Sequence, residues 1–223
     1  MKDKENLIMR LYEILKNPSV SRKAKDEKLV KILINMAPGA DRETFIDLLI
    51  KEGFNERLDE KPLRFILYDA KTVKTEDYFL YLMSLVRQQI DSFPFDISIF
   101  SKQTIHSLLH TIDVICELYC SFYFSDKTEK EEGISDYDIF SQWKKKTTTY
   151  LKLIQREISD LEQGIRDYTF LNGEIAILIN NLDCVSILDS WKFQYLLTQI
   201  FRNSYLQICF FMRTTSELVR DLN

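Results

Sequence analysis

From Tyr137 to Leu171 the chain reads YDIFSQWKKKTTTYLKLIQREISDLEQGIRDYTFL, with apolar or spacer side chains at 140, 143, 147, 150, 154, 158, 161, 165 and 168. Steps of three and four residues put those positions on one stripe of an α-helix. The spacing predicts a single helix of roughly 30 residues, about 45 Å long at 1.5 Å per residue. A helix of that length buries its stripe against neighbours of comparable length, and an antiparallel bundle supplies them.

The rest of the chain is punctuated sparsely, with five Gly and four Pro in 223 residues. All-β folds need many tight turns, and tight turns need those residues. Apolar periodicity predicts helices over 4–17, 26–36, 42–53 behind an Asp41 cap, 75–93, 101–124, 173–188, and a last one over 190–220 capped by Asp189 or Ser190. Only the stretch after Gly53, with Pro62 in it, leaves room for one short β-hairpin near 56–68. The expected fold is therefore all-α: a small N-terminal helical region over 1–72 and a bundle of long helices over 73–223.

Charge narrows the functional classes. Residues 1–36 hold nine Lys/Arg against five Asp/Glu, so the net −4 of the whole chain leaves −8 on the remainder. An acidic body is a poor general partner for nucleic acid, whose phosphates favour basic surfaces. Three short N-terminal helices beside a hairpin could suggest a winged-helix DNA reader. However, the third carries Asp41, Glu43, Asp47 and Glu52 against Arg42 and Lys51, the wrong sign for a groove lined by phosphate. The four cysteines (116, 120, 184, 209) form no C-x-x-C pair and no secreted framework. MKDKENLIMRLYEILKN lacks the apolar core of a signal peptide, and no apolar run reaches the ~20 residues of a membrane span. A cytoplasmic protein is expected.

Two stretches invite chemistry. On the 101–124 helix His106, His110, Asp113 and Glu117 fall within about 60° of one another at 100° per residue, a row that could ligate zinc or iron. Ile105, Leu108, Ile112, Ile115, Tyr119 and Phe122 occupy the opposite side as a core stripe, which points the polar row toward water.

The second stretch is FRNSYLQICFFMR, 201–213. Its Arg202-Asn203 resembles the opening of the RN-x-x-x-H element of the HEPN superfamily, helical-bundle proteins that are often ribonucleases of toxin and phage-defence systems. The resemblance implies a late helix whose arginine and histidine act on RNA across a dimer. The position five after Arg202 is Gln207, so the histidine that would move the proton is missing, and a bundle without the catalytic pair is implied. Read from its own residues, the terminal helix is apolar on two sides: Phe193, Leu197, Ile200, Ile208 and Phe211 on one, Tyr195, Leu206 and Phe210 on the other. Such a helix is either the central helix of the bundle, buried on both sides, or docks a partner with its second side. In the second case Tyr195, Leu206 and Phe210, with Asn203 and Gln207 for polar contacts, form a candidate interface for a partner or a second copy.

The chain holds no G-x-x-x-x-G-K-[ST], G-x-G-x-x-G, G-x-S-x-G or H-E-x-x-H, and no cofactor is implied. The functional expectation is a non-enzymatic regulatory, adaptor or accessory subunit working through protein–protein contact.

Overall fold

The computed structural model describes residues 2–16, 30–35, 41–54, 63–73, 77–92, 99–125, 133–204 and 206–212. Seven α-helices and four strands follow one another along it. They are α1 (Lys2–Lys16), β1 (Val30–Asn35), α2 (Arg42–Phe54), β2 (Arg64–Asp69), α3 (Tyr78–Asp91), α4 (Ile99–Ser125), α5 (Asp136–Leu153), α6 (Gln155–Asn172), β3 (Ile175–Asn180), α7 (Ile187–Ile200) and β4 (Gln207–Met212).

The strands form one sheet in the order β1-β4-β3-β2, and every neighbouring pair is parallel. This overturns the all-α expectation and the antiparallel bundle with it. The single sheet draws β1 and β2 from the segment 1–72 and β3 and β4 from the segment 73–223. The stretch 30–35 inside an expected helix is β1, and the expected 173–188 helix is β3, a single 3-10 turn and the start of α7. The expected 190–220 helix ends at Ile200 and becomes β4, with 213–220 outside the described residues. The hairpin near 56–68 is replaced by β2, which pairs in parallel with β3; residues 55–62 lie outside the described residues.

The cause lies in what periodicity can resolve. IAILIN of β3 and QICFFM of β4 are central strands with all six residues of each buried. A strand covered on both faces is apolar without alternation and matches a buried helical turn in pattern. Length and residue type separate the two: six residues rich in Ile and Phe suit a strand better than a helix.

Each face of the sheet carries its own helical layer. Ile66 and Tyr68 of β2, Ile175, Ile177 and Ile179 of β3, and Ile208, Phe210 and Met212 of β4 join the core shared with α3 to α7. Ala176, Leu178, Cys209 and Phe211 turn the other way onto Ile8, Leu11 and Leu15 of α1 and Phe45, Ile46 and Leu49 of α2. The strict alternation follows from the period of two along a strand. Burying each large apolar side chain stabilises the fold by roughly 1.5–3 kcal/mol. The parallel order also requires crossovers: α2 links β1 to β2, α3 to α6 link β2 to β3, and α7 links β3 to β4.

The long periodic stretch is helical almost as read, but broken. Ile154 leaves helical geometry (φ −101°, ψ 22°) between α5 and α6 while its side chain stays buried. α4 lies close against α6 because Gly164 has no side chain; a Cβ there would stand 2.9 Å from Leu108 Cδ1.

Candidate functional site

Open parallel sheets bind ligands beyond the carboxyl ends of their strands. Here that edge is formed by Asp69 at the end of β2, Asn180 and Asn181 at the end of β3, Asp183 just after them, and Arg42 at the start of the helix that follows β1. Arg42 Nη1 and Nη2 donate to Asp183 Oδ1 and Oδ2, each at 2.7 Å, and both side chains are almost covered. The hydrogen bond to Asp183 is the main reason the guanidinium holds its proton more tightly than usual, against the opposing cost of burial. Next to this pair, Asn181 Nδ2 donates to Asp69 Oδ1 (2.9 Å), which also accepts from Lys71 N (3.0 Å). Asn181 itself sits in the left-handed region at φ 60°, a conformation asparagine tolerates better than most residues, and its N–H donates to Asn180 Oδ1 (2.9 Å).

The strand–loop–helix β1–α2 is the kind of unit that cradles phosphate when its loop reads G-x-x-x-x-G-K-[ST]. The sequence that joins β1 to α2 reads Met36-Ala-Pro-Gly-Ala-Asp-Arg-Glu43, of which 36–40 lie outside the described residues, and α2 starts at Arg42. Asp41 stands where the second glycine would be, Arg42 where the lysine would be, and Glu43 where a magnesium-binding hydroxyl would be. Asp41 Oδ1 accepts from Thr44 N (3.0 Å), so a carboxylate already sits at the helix start, where a phosphate would need bare N–H groups. A magnesium–nucleotide site also needs a carboxylate for the metal. The end of β3 offers two neutral amides, Asn180 and Asn181, and the nearby carboxylates of Asp69 and Asp183 are bonded within the protein.

The residues singled out from sequence are dispersed. His106, His110 and Glu117 are exposed on α4, and Asp113 accepts from Arg87 Nε at 2.8 Å. Among the described residues no group of three or more His, Cys, Asp or Glu is placed to hold a metal ion. Arg202 and Asn203 stand exposed in the turn between α7 and β4, so the late helix implied by the HEPN resemblance stops before them. Leu206, Gln207 and Phe210 are 1%, 0% and 1% exposed, sealed inside the subunit rather than displayed on its surface. The reason is the strand: once 207–212 enters the middle of the sheet, both of its faces are covered by the chain's own helices.

Tyr195 and Asn203 are drawn together differently. Both line a cavity of about 240 Å³ between α5, α6 and the end of α7, together with Arg202. Tyr195 Oη is 2.6 Å from Thr148 Oγ1, and Glu162, 8% exposed, accepts from Asn203 N (2.6 Å) and Asn203 Nδ2 (3.1 Å). Sequence reading missed Glu162 and the Arg42–Asp183 pair. For the pair a signal existed: NNLD directly after the five apolar residues Ile175–Ile179, and PGADR leading into a helix.

These elements define a parallel α/β domain with helices on both faces of its sheet. No known family model matches the chain, and no curated protein matches it in sequence. Among the described residues no helix is long and apolar enough to cross a membrane.

Proposed function

We propose that the protein acts without catalysis, as a regulatory, adaptor or accessory subunit that works by contact with a protein partner or a second copy of itself. The observation that carries this reading is the Arg42–Asp183 pair at the carboxyl edge of the sheet. Among the described residues, the Arg42 and Asp183 charges at that edge are bonded to one another, and the adjoining strand end is neutral. A subunit spending its ionisable groups this way is suited to holding a shape rather than turning over a substrate. The free state of all four cysteines supports a reducing, cytoplasmic setting.

Two measurements test the proposal together. Incubation of the purified protein with magnesium and ATP or GTP is expected to give no turnover above buffer. Light scattering is expected to give a mass above the 26.5 kDa of one chain, from self-association or a co-purified protein. Hydrolysis that disappears in Arg42→Ala or Asp183→Ala overturns the proposal, and so does a strictly monomeric mass with nothing bound.

A further inference from the structure

The cavity against Asn203 is walled by three elements that other bonds already fix in place. Thr148, Leu151 and Lys152 come from α5, Ile158, Ser159 and Glu162 from α6, and Arg202 and Asn203 from the turn after α7. The Thr148–Tyr195 bond ties α5 to α7, and the carboxylate of Glu162 clamps the Asn203 backbone and side chain onto α6. The walls are therefore set before any ligand arrives, which lowers the ordering cost of binding.

The chemistry of the lining is uneven in a useful way. Glu162 is the only acid in it, and both of its oxygens accept from Asn203. Lys152 and Arg202 are exposed, and among the described residues neither has a carboxylate partner. The lining also holds the Ser159 hydroxyl, the amides of Gln155 and Gln199, and the apolar side chains of Leu151 and Ile158, while the Thr148 hydroxyl is taken by Lys144 O and Tyr195 Oη. Two uncommitted cations against one committed acid favour an anion, and Arg with Lys is the pairing that grips phosphate oxygens. The neutral polar groups suit hydroxyls, and the apolar side chains suit carbon-bound hydrogens. At about 240 Å³ the space falls below the roughly 300–1,000 Å³ of pockets for drug-sized ligands.

We propose that the cavity between α5, α6 and the α7–β4 turn is a binding site for a small phosphorylated polyol, its phosphate held by Arg202 and Lys152 and its hydroxyls by Ser159, Gln155 and Gln199. The site faces away from the Arg42–Asp183 edge and stands independently of the non-catalytic reading above. Calorimetric titration of the full chain with ribose 5-phosphate, ribose and inorganic phosphate tests it. Ribose 5-phosphate is expected to bind saturably, at least about tenfold more tightly than either fragment. Arg202→Gln and Lys152→Gln are each expected to weaken it about tenfold or more, while Lys145→Gln, on the exposed side of α5 outside the cavity, leaves it unchanged. Because Arg202 and Lys152 are exposed, both variants should keep the native melting temperature. No saturable binding at millimolar ligand overturns the proposal. Binding that survives both variants, or inorganic phosphate binding as tightly as the sugar phosphate, overturns it equally.

Discussion

Arg42 and Asp183, 141 residues apart in the chain, meet through two parallel N–H···O bonds of 2.7 Å. The pair joins the start of α2, on one face of the sheet, to the turn that leaves β3 toward α7 on the other face. With 13% and 9% of their side chains exposed, the partners have lost most of their water. Removing one partner leaves the other charged and uncompensated, so Arg42→Ala is expected to cost about 3 kcal/mol. The double change Arg42→Met/Asp183→Leu is expected to cost less than the single one, because an apolar pair of similar size strands no charge. Urea unfolding of the three proteins gives both values, and a loss below about 0.5 kcal/mol for Arg42→Ala would show that the pair does not hold the edge closed.

How far the sequence led is best seen element by element. The amphipathic stripes of α3, α4, α5 and α6 were legible because each helix has one buried and one wet side, and those sides alternate with the 3.6-residue period. The break at Ile154 was not, since its buried side chain continues the stripe across the joint. The central strands β3 and β4 were misread for the opposite reason: Leu178 and Ile179 of β3 point to different faces, and both faces are dry. The same error opened an interface reading of Leu206 and Phe210 beside the buried one, because an apolar second side on a supposed helix fits either. Local pattern marks NNLD and PGADR as loops at strand and helix ends, but that Arg42 and Asp183 meet follows from strand order, which local pattern does not encode.

The close approach of α4 and α6 makes Gly164 a test of packing against propensity. Alanine gains up to about 1 kcal/mol over glycine inside a helix. Its Cβ, however, would meet Leu108 Cδ1 at 2.9 Å, and Leu108 is 1% exposed with little room to turn aside. Overpacking a core costs typically about 1–3 kcal/mol, so Gly164→Ala is expected to end near neutral or slightly destabilised, and Gly164→Val to lose about 2 kcal/mol. Leu108→Ala in the Gly164→Ala background is expected to be less damaging than in the parent, because the new methyl occupies part of the emptied space. Additive losses in that double-mutant cycle would mean the two helices do not touch at this point.

Asp77 offers a pH test with a defined sign. Its Oδ1 accepts from Leu80 N (2.9 Å) and caps α3, yet burial pushes its carboxyl above the ordinary 3.8, outweighing the backbone N–H groups of Leu80 and Phe79. A carboxyl raised in the folded state binds its proton more tightly there than in the unfolded chain. Its stabilising contribution is therefore complete below 3.8 and is lost as pH rises through the folded value. Asparagine caps a helix as well as aspartate does and carries no charge to bury. Asp77→Asn is thus expected to match or exceed the parent at pH 7, and its advantage is expected to shrink as pH falls toward 4, whereas Asp77→Ala loses about 1 kcal/mol through the missing cap. A stability difference between parent and Asp77→Asn that stays flat with pH would contradict the buried-carboxyl account.

Phe210 separates the sheet from the terminal-helix reading. At 1% exposure in a central strand, it sits beside Ile179 on β3 and Leu33 on β1. Phe210→Glu would bury a charge with no partner, so the variant is expected to be insoluble or to lose its cooperative melting transition. Arg202→Glu, eight residues earlier in an exposed turn, is expected to melt as the parent does. A folded, soluble Phe210→Glu protein would place this segment on the surface.

The four thiols report on the same architecture without mutation. Cys184 is exposed, Cys116 and Cys120 are partly covered on α4, and Cys209 is completely buried in β4, facing α1 and α2. Burial, reinforced by Cys120 and Asp113, pushes the Cys116 thiol up to about 12, and burial alone raises that of Cys209 further. The thiolate is the reactive form, so both are suppressed at neutral pH, Cys209 by lack of access as well. Timed labelling with a disulfide reagent at pH 7.5, read by peptide mass, is expected to modify Cys184 first and Cys120 and Cys116 later. Cys209 should react only at the rate of global unfolding, speeding up in urea together with the loss of helical signal. If Cys209 reacted as fast as Cys184 in the native protein, β4 could not lie between β1 and β3 beneath the two N-terminal helices.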